Sequence, residues 1–249
     1  MTPRISGLFN GEALRAIYDN GIKYVIGDNT KPKLVSPISK HWPRITTKEQ
    51  NGFDGIYIIP RYPNDIFYNI STIEELEAIF NHFYKIEDAY RFNAAKILNK
   101  NAREATLHLL DYDYSPYMFH QANLRSFEYE GKTDSLLSLW FKNVLNEYRK
   151  YSNLPIRSAT FKKLSELYIE RMEYDKCEAK AKFVYQDNRL DKIVVAAKNK
   201  CEIPITGIKP QQLIKSRKFR AETYGPDHTI YLSFSGKMEE QTVQYSPQI

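Results

Sequence analysis

A single change of hydrophobic period divides this 249-residue sequence in two. Leu136, Leu137, Trp140, Val144, Leu145 and Tyr148 recur at the three-and-four spacing of an amphipathic helix, which predicts a helix over residues 134–151. Phe161, Leu164, Leu167 and Tyr168 repeat the pattern and predict another over 160–173. From residue 177 the period drops to two. Cys177, Ala179, Ala181 and Phe183 alternate with Glu178, Lys180 and Lys182, the mark of a half-buried strand. Further strands are expected at 193–197, 203–205, 230–234 and 242–245. The sequence therefore predicts an α/β portion over residues 1–172 and a small, sandwich-like all-β portion over 173–249.

The first portion opens as a strand or loop over residues 5–9. A helix follows over residues 12–20, with Leu14, Ile17 and Tyr18 on one face and Gly21 as its left-handed cap. Tyr24, Val25 and Ile26 form the next strand, ending at Gly27-Asp28-Asn29. After a Pro-containing connection from Lys31 to Gly52, the run Gly55-Ile56-Tyr57-Ile58-Ile59 is apolar almost without a break, as in a strand covered on both faces. Pro60 and Pro63 stop it. Ser71 and Glu74 have the spacing of a capping box at the start of a helix that reaches about Tyr84. A helix is expected over 87–99, and residues 117–120 read as a last sheet strand.

Composition narrows the functions. The net charge of +6 is spread along the chain with no basic stripe, which argues against nucleic acid as a partner. No 18-residue apolar run exists, so no transmembrane segment is expected. Tyr outnumbers Phe and Trp, 19 against 13 and 2, and amphipathic rings of this kind serve both half-buried strands and sugar-stacking sites. Cys177 and Cys201 leave two readings open: a bridge worth about 3 kcal/mol in an oxidising compartment, or two free thiols. Asn69-Ile70-Ser71 is an N-glycosylation acceptor triplet. The five histidines include no pair three or four residues apart, so a helical two-His metal site is not expected. His108 with Asp111 and Asp113 is a poor substitute, since these residues lie in a Tyr-rich turn.

Four blocks in order, residues 5–14 (ISGLFNGEAL), 21–30 (GIKYVIGDNT), 55–68 (GIYIIPRYPNDIFY) and 117–124 (YMFHQANL), resemble the fungal galactosaminogalactan deacetylase family, distant relatives of the NodB-type polysaccharide deacetylases. The resemblance continues through residues 200–207 (KCEIPITG). It implies a partial NodB-like (β/α) barrel followed by the β-rich part. It also implies a secreted or wall-associated protein, and a substrate that is an exopolysaccharide containing N-acetylgalactosamine. Such enzymes use a divalent, zinc-like metal held by Asp and His to activate water on the N-acetyl carbonyl, and a late His to protonate the departing amine.

Carried over by position, His120 is the expected catalytic acid. Arg61 is expected to orient a catalytic Asp or to pair with His120. Phe9 and Asn10 would offer backbone N–H groups to the oxyanion, and Asp28 and Asn29 would line the site with polar groups. Tyr114-Ser115 stand where the family pattern has a His-Asp pair. The family's Asp-Asp pair and His-x-x-x-His motif find no counterpart here, so the metal ligands are not expected in this chain. The alternative to a deacetylase is a non-catalytic carbohydrate-binding or wall-associated protein on the same scaffold.

Overall fold

A computed structural model describes residues 5–27, 44–111, 113–208, 220–237 and 239–244. The chain divides into two compact units, Met1–Ser152 and Asn153–Ile249, and the helix over residues 161–176 falls with the second.

In the first unit a 3-10 turn, Ile5–Phe9, leads into α1, Gly11–Asp19. Asn10 starts that helix: its Oδ1 accepts the N–H groups of Glu12 and Ala13, at 3.1 Å each. Strand β1, Tyr24–Ile26, pairs in parallel with β3, Tyr57–Ile59, in the register Val25 to Ile58. On the other side of β3 lies the short antiparallel strand β2, Arg44–Ile45. A one-turn helix, α2, Lys48–Asn51, connects β2 to β3. Leu8, Leu14, Val25, Ile56 and Ile58 form a small buried cluster between α1 and the sheet. The mixed α/β character thus follows the sequence. Among the described residues, however, the strands of this unit close no barrel.

The larger core is helical. Helices α3 (Ile73–Phe83), α4 (Ala94–Leu110) and α5 (Leu136–Tyr148) bury Leu76, Phe80, Ile97, Leu98, Ala102, Leu136, Trp140 and Val144 in one cluster. The cap of α3 sits one residue later than the sequence suggests. Thr72 accepts from Glu75 N–H while Glu75 reaches back to Thr72 N–H, and Ser71, buried, gives Glu75 its own N–H and hydroxyl. The helix expected over 87–99 instead starts at Ala94 and continues through Leu110, because Asn101, Ala102, Ala105 and Thr106 extend its buried face. A hairpin unforeseen from the sequence joins β4, Phe127–Tyr129, to β5, Lys132–Asp134. Its two-residue turn places Glu130 and Gly131 at positive φ.

In the second unit, α6 (Phe161–Lys176) precedes six antiparallel strands. These are β6 Lys180–Gln186, β7 Arg189–Ala197, β8 Lys200–Ile208, β9 Arg220–Tyr224, β10 Asp227–Ser235 and β11 Glu239–Gln244. Two three-stranded sheets, β8-β10-β9 and β11-β7-β6, share a core of Ile193, Val195, Ala197, Ile208, Ile230, Leu232, Phe234 and Val243. Pro204 sits in β8, an outer strand, where a missing donor is tolerated. The alternating segment at 177–183 differs from expectation: Cys177 caps α6, the strand starts only at Lys180, and Lys180 to Phe183 are all exposed on the sheet's edge. Cys177 is buried and disulfide-bonded to Cys201 of β8, with 5.8 Å between their Cα atoms.

Candidate functional site

Parallel strands send their carboxyl ends to one side of a sheet, and in α/β folds ligands bind beyond those ends. β1 finishes at Gly27, whose N–H donates to Ile59 O at 2.8 Å. Beyond Pro60 the line of β3 continues to Tyr62, which forms a parallel bridge with Tyr117: Tyr62 N–H donates to Pro116 O, and Met118 N–H to Tyr62 O. The last strand expected at 117–120 is thus reduced to this one bridge, supported by Asn64 Nδ2, which donates to Met118 O at 2.6 Å. Irregular backbone follows because His120 opens a 3-10 turn, Gln121–Leu124.

His120 is exposed at the end of this segment, with its ring edge-on to Tyr68 at 5.9 Å between centroids. Its setting is fixed by a residue that the sequence did not single out. Asn123 is fully buried; its Oδ1 accepts His120 N–H at 2.8 Å, and its Nδ2 donates to the carbonyls of Phe67 and Ile70 at 2.9 Å each. One amide therefore ties the 67–70 turn to the backbone of His120. The only sequence signal was its place in the HQANL block.

Beneath the bridge, Tyr62 stacks on His108 with ring centroids 3.9 Å apart and donates its hydroxyl to Asp113. His108 Nδ1 meets the Tyr117 hydroxyl at 2.6 Å. Burial, and then the charge of Asp113, push the Tyr117 hydroxyl well above its ordinary value, so it stays protonated. Asp113 Oδ1 also accepts the Ser115 N–H at 2.8 Å. His108 and Asp113 thus hold tyrosines, and Asp111 is an exposed helix end. Among the described residues no three His, Cys, Asp or Glu side chains gather to hold a metal. The described residues therefore do not fit the divalent metal that the family resemblance implies.

The other expected site residues are placed less closely together. Phe9 and Asn10 are both exposed, and the turn they form packs against the end of α2: Asn51 Nδ2 donates to Leu8 O at 2.6 Å. A Cβ on Gly11 would lie 2.6 Å from Gly52 O, so these two backbones touch only because neither carries a side chain. Among the described residues, Arg61 Nε is buried without a hydrogen-bond partner, and no ion pair or hydrogen bond joins Arg61 to His120. Phe9 and Asn10 likewise make no hydrogen bond or ring contact with His120 among the described residues. Asp28 and Asn29 lie outside the described residues.

Next to the 67–70 turn, Phe67 packs edge-on to Phe83 at 4.9 Å, and Phe83 meets Tyr84 at 5.1 Å. Tyr84 donates to Asp65 Oδ1 at 2.6 Å, while Lys100 Nζ donates to Asp65 Oδ2 at 2.7 Å. Burial, and then the Asp65 bond, push the Tyr84 hydroxyl up to about 12, which keeps it neutral.

A family model described as the Agd3 deacetylase domain matches residues 1–182 of this chain. Among solved structures, the chain is similar to one described as the crystal structure of Agd3, a novel carbohydrate deacetylase, at 29% identity and a TM-score of 0.74. The match covers 98% of this chain and 37% of that one, so the chain spans a little over a third of the length of the solved protein. No curated protein matches the sequence.

Proposed function

The chain belongs to the Agd3 deacetylase family, and from that premise we propose that it serves the de-N-acetylation of an N-acetylgalactosamine-containing exopolysaccharide outside the cell. The observation that carries this reading is the position of His120. It stands exposed at the carboxyl end of the segment bridged to Tyr62, with its backbone clamped by Asn123. A group held there donates a proton to the amine leaving the acetyl carbon.

The other residues take roles consistent with the resemblance. Asn10 is anchored by its cap of α1, and its N–H makes only a long bond, 3.4 Å, to Gly7 O. It and the Phe9 N–H are the donors assigned to the oxyanion that forms on the acetyl carbonyl. The Arg61 Nε, buried and without a partner among the described residues, suits an anionic partner, either a catalytic carboxylate or the substrate. Asp28 and Asn29 are assigned to the polar lining by sequence position alone. The divalent metal of the family would supply activated water when bound; the described residues do not gather its ligands. The Cys177–Cys201 disulfide supports an oxidising, extracellular setting.

The test is acetate release from a polymer of N-acetylgalactosamine by a hybrid in which this chain replaces the matching part of the solved Agd3 protein. The hybrid is expected to turn over, and His120→Ala in it is expected to slow turnover by about a hundredfold or more. A His120→Ala hybrid that keeps the full rate would overturn the assignment of the acid. A second reading, glycan binding without turnover, draws on the exposed ring of Tyr68 beside His120. It is the one left if the hybrid binds polymer and releases no acetate.

A further inference from the structure

Large aromatic side chains at a protein surface expose apolar area to water, and a run of them has a cost that a binding partner relieves. Tyr68 is 68% exposed, Phe83 61% and Tyr84 46%. They do not stand singly. His120 meets Tyr68 edge-on; Phe67, next in the chain to Tyr68, packs on Phe83; and Phe83 packs on Tyr84. Ring contacts thus form two groups, His120 with Tyr68 and Phe67 with Phe83 and Tyr84 at the C-terminal end of α3, joined by the Phe67–Tyr68 peptide. The buried Asn123 amide holds the 67–70 turn, which carries two of them, and the Asp65 carboxylate holds the Tyr84 hydroxyl.

We propose that Tyr68, Phe67, Phe83 and Tyr84 form a stacking track along which a galactosamine-type polysaccharide lies as it reaches His120. The proposal rests on the deacetylase reading for the identity of the sugar and goes beyond it in naming the surface that holds the chain. Two features select a sugar as the occupant. Sugars of the galacto configuration carry C3–H, C4–H and C5–H on one face, an apolar patch that matches an exposed aromatic face such as that of Tyr68. The flank is polar and ordered, with Lys100 bridging Asp65 and Glu104, so hydrogen-bonding groups stand where hydroxyls of a stacked sugar project.

Area argues against a protein in the same place. At the exposures given, the three open rings present roughly 350 Å², well under the ~800 Å² that each partner of a stable protein interface buries. The track also begins at the candidate acid, through Tyr68, which a surface serving an unrelated partner has no reason to do.

The test is a calorimetric titration of the 249-residue chain with a hexamer of N-acetylgalactosamine. Binding is expected, with the dissociation constant raised at least tenfold in Tyr68→Ala/Phe83→Ala. Tyr68→Ala alone, at the most exposed of the four rings, is expected to raise it at least threefold. Circular dichroism establishes that each variant is folded. Unchanged affinity in folded Tyr68→Ala, or no binding by the unsubstituted chain, overturns the track. A dimer in light scattering that Tyr68→Ala/Phe83→Ala dissociates also overturns it, by assigning the rings to self-association. The two readings fail separately. A hybrid without acetate release leaves the binding result standing, whereas an active hybrid with ring variants of full affinity removes the track alone.

Discussion

Buried asparagines do much of the positioning in the first unit. Asn51 receives Thr47 N–H and donates to Leu8 O; Asn81 both donates to and accepts from Phe92; Asn101 receives Asp65 N–H; and Asn123 holds three backbone groups around His120. Each satisfies backbone that the chain path takes out of water, where an unmet group is expensive. Asn123→Leu keeps the volume and removes the partners of two carbonyls and one N–H. It is expected to lower stability by about 3 kcal/mol, read as a lower urea midpoint, and an unchanged midpoint would show that the clamp is dispensable. Such residues are hard to find in a sequence. An asparagine at a helix end or in a loop looks like an exposed cap or turn residue, and only the fold shows which ones turn inward. His120 and Arg61 stood out in the sequence through the family blocks. Asn123 and the His108–Tyr117 pair did not, because no local spacing marks them.

Helices were the most legible elements, since α1, α5 and α6 carry their buried faces at regular spacing. Strands were read well where they lie inside a sheet, as β3 does, and poorly at edges. In residues 177–183 the alternation is genuine, but it ends on a strand with no neighbour on one side, so it does not report burial. The β4–β5 hairpin escaped because its strands are three residues each and its turn is Glu-Gly rather than one of the commoner pairs. That hairpin is anchored to α5 by Asp134, which is buried and paired to Lys142 at 2.7 Å. Lys142, and then the Ser138 hydroxyl, hold the Asp134 carboxyl below its ordinary value. A carboxyl whose value is lower folded than unfolded stabilises the fold above the unfolded value of about 3.9 and loses that contribution as pH falls through the folded one. Asp134→Asn is therefore expected to melt a few degrees lower than the unsubstituted chain at pH 7. The gap should narrow as pH falls below the unfolded value of about 3.9 in a calorimetric series, and a gap that stays constant down to the most acid pH would rule out the charge as its cause.

On the scale of the molecule, the change of hydrophobic period marks a change in the kind of core, from helices in the first unit to paired sheets in the second. The compact units part earlier, at Ser152, because α6 packs with the strands that follow it. The succession of β1, β3 and the 117 segment along the chain was legible in the sequence. The partial barrel that the resemblance implies is not seen among the described strands, and apolar runs do not decide it, since open and closed parallel sheets share them. In the second unit the Cys177–Cys201 bridge spans 24 residues, and loop-closure entropy for that separation is worth about 3 kcal/mol. Cys177→Ser/Cys201→Ser is expected to lower hydrogen-exchange protection in β7, β8 and β10 while leaving α4 unaffected; equal protection in both forms would assign the unit's stability to its apolar core alone.

β6 shows what an uncovered margin requires of a sequence. Phe183 and Tyr185 stand well out into solvent on a strand whose outer N–H and C=O groups have no neighbouring strand among the described residues, an arrangement that would template docking by another copy of the chain. Lys180 and Lys182 lie on the same strand. Two such strands laid side by side would bring four ammonium groups together, so like-charge repulsion protects this rim in water without any covering layer.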